Sequence, residues 1–185
     1  MMEELEIKYA NKEKHEYDHP EYEVICMAKE SVMLGEDRND FERKYVWIAD
    51  SGASTHMSNQ FHGYYEYWGT NHKALFATET SEGLSLLTGI WKGRKYKPKS
   101  DGIHFEREDK LTLNGVMFLP TLRNNLFSLT KSMSEGTEVS NCGEVIILTF
   151  KDGSTLKFDY KLKTKSGYVM GAVIKPIGGF KVSGL

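Results

Sequence analysis

Apolar residues in this chain come in short runs parted by Gly, Asn, Asp and Pro, the pattern of strands and turns rather than of long helices. Tyr22 to Ala28 predicts a first strand and Tyr45 to Ala49 a second. Further strands are expected at Lys73 to Thr78, Leu84 to Lys92, Ile103 to Phe105, Lys110 to Leu119, Glu144 to Phe150, Ser154 to Phe158 and Tyr168 to Ile174. One helix is expected after Pro120, where Leu122, Leu126 and Leu129 share a helical face and Gly136 is available to end the segment. A helix that short needs tertiary packing to persist. The expected fold class is mostly β with one short C-terminal helix.

Three segments are expected. Residues 1–20 are charged and poor in apolar side chains and read as a flexible polar leader; residues 21–141 form the main domain, and residues 142–185 a C-terminal β extension. A length of 185 residues fits about one domain. The formal charge of −2 leaves no basic footprint for direct nucleic-acid binding, and the Lys92 to Lys99 loop reads as a solvated hairpin. Cys26 and Cys142 have no metal-ligand spacing and are expected as reduced thiols. No apolar stretch approaches membrane-spanning length and Met1 to Tyr17 is unlike a signal peptide, so a soluble, intracellular protein without a membrane partner is expected.

The candidate chemistry starts at Asp50. The run Tyr45-Val46-Trp47-Ile48-Ala49 leads into Asp50-Ser51-Gly52-Ala53-Ser54, a strand that delivers an acid into a glycine-permitted turn. An ordinary turn after a strand is the competing reading. Activating a water by general acid/base chemistry requires one group to take a proton while another gives one, so a single aspartate is half a site. No second Asp-Ser/Thr-Gly occurs later in the chain, and Asp152-Gly153-Ser154 has the wrong order and reads as hairpin-turn chemistry. A symmetric homodimer would bring two copies of Asp50 together without further sequence. His56, His62 and His72 lack the partners of a metal site and read as surface or loop-packing residues, so no metal or other cofactor is expected. Phe61, Tyr64, Tyr65, Tyr67 and Trp68 read as a packed satellite cluster or part of a groove.

The segment Trp47-Ile48-Ala49-Asp50-Ser51-Gly52-Ala53-Ser54-Thr55-His56-Met57 resembles the active-site segment of the aspartic proteases in copia-type retrotransposon polyproteins. A downstream stretch agrees with it: Val116-Met117-Phe118-Leu119-Pro120-Thr121-Leu122-Arg123-Asn124-Asn125-Leu126-Phe127-Ser128-Leu129 is similar to the strand, proline and Leu-Arg-x-Asn-Leu-(apolar)-Ser of those enzymes. Two motifs in the family's order are far more specific than Asp-Ser-Gly alone. The resemblance covers about Tyr45 to Ile174.

The resemblance implies a retropepsin-like, barrel-type aspartic protease monomer, active as a homodimer, that cleaves a Gag-Pol polyprotein including itself. It implies a cytoplasmic location within virus-like particles, and places residues 142–185 on the way to an integrase. Asp50 is implied to be catalytic, Ser51 to bind across the dimer axis, and Gly52 to allow close approach of the two turns. Ala53 and Ser54 would line the groove that holds an extended peptide. A flap is implied over Lys73 to Gly89 with its tip at Thr80, Ser81, Glu82 and Gly83; the competing placement is Lys95 to Gly102. Arg123 and Asn124 are implied to support the site, although Ser54 stands where retroviral enzymes place the acid that pairs with the arginine, and Leu122 where they carry a glycine. Gly136 to Val139 is expected as an interface strand. A domesticated or inactive peptide-binding module of the same fold is the alternative function.

Overall fold

The protein is described by a computed structural model for residues 24–26, 44–76, 82–99, 105–164 and 167–177. Among the described residues, twelve strands run in the order β1 (Val24–Cys26), β2 (Val46–Asp50), β3 (Met57–Ser58), β4 (Tyr64–Phe76), β5 (Glu82–Pro98), β6 (Phe105–Phe118), β7 (Asn125–Ser128), β8 (Glu138–Cys142), β9 (Val145–Thr149), β10 (Thr155–Phe158), β11 (Tyr160–Lys163) and β12 (Tyr168–Pro176). The helix α1 (Leu129–Ser134) lies between β7 and β8.

Six of the strands close on themselves. β5 pairs with β6, β6 with β3, β3 with β7, β7 with β2, β2 with β12, and β12 with β5 again, so the barrel has no free edge among its staves. Alternation along the strands divides the interior in two. Val46, Ile48, Leu126 and Val173 join one buried cluster with Met57, Met117 and Leu162. Their neighbours Trp47, Phe127, Ala172 and Ile174 join another with Trp91, Val116, Leu148 and Phe158. With both faces covered, β2 carries a near-continuous apolar run, Val46 to Ala49, instead of an apolar/polar alternation. Trp47 meets Trp91 edge-on at 4.7 Å, and Phe127 meets Phe158 at 5.1 Å.

The sheet β8-β9-β10 is an antiparallel meander that adds Leu148, Leu156 and Phe158 to the second cluster. Its hairpins turn at Gly143 and Gly153, both at positive φ. Asp152 sits in the second turn as expected, exposed, accepting from the backbone N–H and hydroxyl of Ser154.

Four expectations differ from the observed fold. The stretch Leu122 to Leu129 is not a helix: it bends, runs as β7, and becomes helical only from Leu129. Pairing of β7 between β2 and β3, reinforced by the Asn125 side chain, outweighs the local helical spacing. Gly136 does end α1, at φ 89°, with its N–H on the Met133 carbonyl and the Thr137 N–H on that of Ser132. A boundary at 141 does not part the barrel from the later strands, because β12 is one of its staves. Of the segment Gly136 to Val139, expected as one interface strand, Gly136 and Thr137 close α1, and Glu138 and Val139 open β8, which pairs with β9 of the same chain. Finally, β4 is much longer than the expected strand at Lys73 to Thr78.

Candidate active site

The Asp50 turn is built by the ends of β2 and β7. These strands run parallel, with Trp47 opposite Asn125 and Asp50 opposite Ser128, so the last residue of one brings the acid beside the first turn of α1. Asn125 fixes that register. Its amide nitrogen donates to the carbonyls of Lys44 (2.8 Å) and Val46 (3.2 Å), and its amide oxygen accepts from the Ser58 hydroxyl (2.9 Å) and the Asn59 N–H (3.1 Å). All four bonds are made by a residue with no exposed surface.

Asp50 is 8 % exposed. Its Oδ1 accepts the Gly52 N–H at 2.7 Å, the bond that folds the turn, whereas Oδ2 is buried without a hydrogen-bond partner among the described residues. An unsatisfied buried carboxyl oxygen costs on the order of 1–3 kcal/mol and is uncommon without a functional reason. The rest of the turn is pinned from below. The Ser51 carbonyl accepts from Thr130 Oγ1 (2.6 Å), the Ala53 carbonyl from Ser128 Oγ (2.5 Å), and Thr55 Oγ1 donates to the Gly115 carbonyl (3.1 Å). His56, only 2 % exposed, accepts the Ser128 N–H on Nδ1 at 3.0 Å and lies 4.5 Å from the Phe127 ring. Burial first, and the Lys131 charge second, hold its pKa down at about 3.

The implied site residues divide. Ser51 and Ser54 are exposed on the turn, and Gly52 is half-buried. Ala53 is wholly buried, so it has no surface to offer a peptide; its carbonyl is tied to Ser128 instead. Arg123 is exposed on the bend before β7, and the supporting role assigned to Arg123 and Asn124 falls to Asn125, one position on. Thr80 and Ser81 lie outside the described residues, while the backbones of Glu82 and Gly83 open β5 opposite Leu75 and Ala74. From Glu82 to Leu87, β5 pairs with β4 and not with β6, which joins it only from Thr88; the hairpin thus leaves the barrel as a ribbon, with β1 alongside β4 at its far end. The competing segment, Lys95 to Gly102, starts within the barrel wall, as Lys95, Tyr96 and Lys97 pair with β12 or β6.

His56 and Asn125 are the residues that sequence reasoning misses. The signal for His56 is its place inside the motif, which by itself reads as loop packing; the signal for Asn125 is its fixed spacing from the Arg.

Other features lie apart from Asp50. A cavity of about 630 Å³ opens between β5, β6 and β10, lined by Lys95, Glu108, Asp152, Ser154 and Leu156 among others. The buried Lys95 there pairs with Glu108 (2.7 Å) and Asp159 (2.9 Å). A smaller hollow of about 290 Å³ is lined by His56, Ser132, Glu135, Lys151 and Asp152. Asp50 lines neither. Phe61, Tyr64, Tyr67 and Phe118 form a packed aromatic cluster, whereas Tyr65 and Trp68 are exposed. Among the described residues no three His, Cys, Asp or Glu side chains gather as metal ligands, and no helix is long and apolar enough to cross a membrane. Comparison with protein-family models, with curated proteins and with solved structures found no match to this chain.

Proposed function

We propose that the chain is an aspartic endopeptidase of the copia retrotransposon type, working as a symmetric homodimer on a polyprotein. The observation that carries this reading is Asp50 itself: a buried carboxyl with one oxygen fixed by its own turn and the other without a hydrogen-bond partner among the described residues, on a strand end locked by β7. The closed barrel, the projecting β4–β5 ribbon and the short helix after β7 support it, being the parts the sequence resemblance implies around such an acid.

Two such carboxyls facing across a two-fold axis cannot comfortably both be charged, so the pair shares one proton. The ionised member takes a proton from water as its oxygen attacks the peptide carbonyl carbon, while the protonated member gives its proton to the carbonyl oxygen. Collapse of the resulting gem-diol breaks the C–N bond: the carboxyl that took the water proton gives it to the leaving nitrogen, and the other carboxylate recovers a proton from a gem-diol hydroxyl as the C=O re-forms. Asp50 lines neither of the two cavities described above, which fits a groove shared by two chains. In this reading Ser51, exposed beside Asp50, reaches the partner's turn, and the exposed Ser54 meets substrate.

The alternative is a peptide-binding or dimerising module of the same fold that no longer cleaves. Incubation of the purified protein with a peptide library, beside its Asp50→Asn variant, separates the two. The protease reading expects cleavage by the wild type that disappears in the variant. Cleavage that persists unchanged in the variant, or none by a dimeric wild type, would sink it.

A further inference from the structure

His56 lies six positions beyond Asp50 and is buried with a directed hydrogen bond, which goes to Ser128. Its bond has a specific place in the ladder. In a strand, residues two apart present their N–H groups to the same side. On β7 that side, at Leu126, faces β3, where Met57 is its partner. Ser128 presents its N–H to the same side, but β3 begins at Met57, and the chain before it has already swung away into the Asp50 turn. The Ser128 N–H would therefore meet no strand carbonyl. The imidazole of His56 takes that position and supplies the acceptor, while its own carbonyl accepts the Met117 N–H at 2.9 Å.

Ser128 is the residue through which this matters. It is the β-partner of Asp50, its hydroxyl donates to the Ala53 carbonyl at 2.5 Å, and the same hydroxyl accepts the Lys131 N–H at 2.9 Å to cap α1. We propose that His56 is a positioning residue for the Asp50 carboxyl, a side-chain extension of β3 that holds Ser128 and, through it, both ends of the catalytic turn. This inference rests on the protease reading for its consequence in rate but not for its geometry.

Accepting an N–H at Nδ1 requires the imidazole to be neutral with its proton on Nε2. Its surroundings favour the neutral form: it is buried against Phe127 and Lys131 of α1 is the charge that acts on it, while Glu135, paired with Lys131, lines the adjoining hollow with Lys151 and Asp152. Asparagine carries an acceptor at the position of Nδ1, whereas leucine fills similar space without one.

The test compares wild type, His56→Asn and His56→Leu by the 13C titration of the Asp50 carboxyl, hydrogen exchange at the Ser128 amide, the imidazole tautomer by 15N NMR, and kcat and KM per folded dimer. The expected result is an Nε2–H tautomer in the wild type. In His56→Leu, Ser128 protection is lost, the Asp50 titration is displaced, and kcat falls by roughly tenfold to a hundredfold with KM little changed. In His56→Asn, both carboxyl titration and kcat return to near wild type. A folded His56→Leu with wild-type titration and kcat overturns the inference, as does an Nδ1-protonated imidazole. If His56→Leu does not fold, a His56→Asn variant that lacks Ser128 protection or the wild-type Asp50 titration overturns it as well. Should the wild type cleave nothing, the protease reading fails by itself, and the carboxyl titration still decides the positioning role.

Discussion

Acid should weaken this fold through one identifiable group. His56 is held at a pKa of about 3 against an ordinary 6.5, so between those values the unfolded chain binds a proton that the native chain refuses. The native state therefore loses ground as pH falls from 6.5 towards 3, and the effect is absent above 6.5, where imidazole is neutral in both states. One proton corresponds to about 1.4 kcal/mol per pH unit, so a drop to about pH 4.5 removes about 2 to 3 kcal/mol through His56 alone. Carboxylates add their own dependence, and the His56→Asn variant isolates the histidine because it keeps the acceptor and lacks the titration. Urea unfolding at one fixed protein concentration, at about pH 7.5 and about pH 4.5, should show wild type losing about 2 to 3 kcal/mol more than the variant. Parallel losses in the two proteins would refute the reasoning, since they would mean that His56 charges as readily folded as unfolded.

Asn125→Ala strands two carbonyls, a hydroxyl and an amide around a buried site, and chemical denaturation should report a loss of about 3–5 kcal/mol, while Arg123→Ala on the exposed bend should change stability by less than about 0.5 kcal/mol. Lys95→Met leaves Glu108 and Asp159 facing one another without their cation and should cost about 3–5 kcal/mol at neutral pH, with part of that recovered in acid where the carboxylates protonate.

How far the chain alone can be read depends on the range of the forces involved. Asp50 in a strand-then-turn setting, Gly136 as a helix terminator and Asp152 in a hairpin are local features, set by side chains within a few residues, and each stands where local chemistry puts it. The segment 122–128 misleads because Leu122, Leu126 and Leu129 satisfy helical spacing, while the bonds that make it a strand come from Lys44, Val46 and Ser58, far away along the chain. The same holds for β12, whose partners in β2 and β5 no local pattern announces, and for Ala53, whose carbonyl is held by Ser128 from far along the chain. His56 reads as mere packing because a lone histidine carries no local mark of the strand end it completes.

The central claim is that two copies of Asp50 make one site, and mixing wild-type with Asp50→Asn subunits tests it most directly. With equal amounts and free exchange, about a quarter of the dimers hold two aspartates, so peptide cleavage per wild-type subunit should fall to about half that of wild type alone. Cleavage per wild-type subunit that stays constant at every mixing ratio would show that each chain works by itself, and would contradict the account.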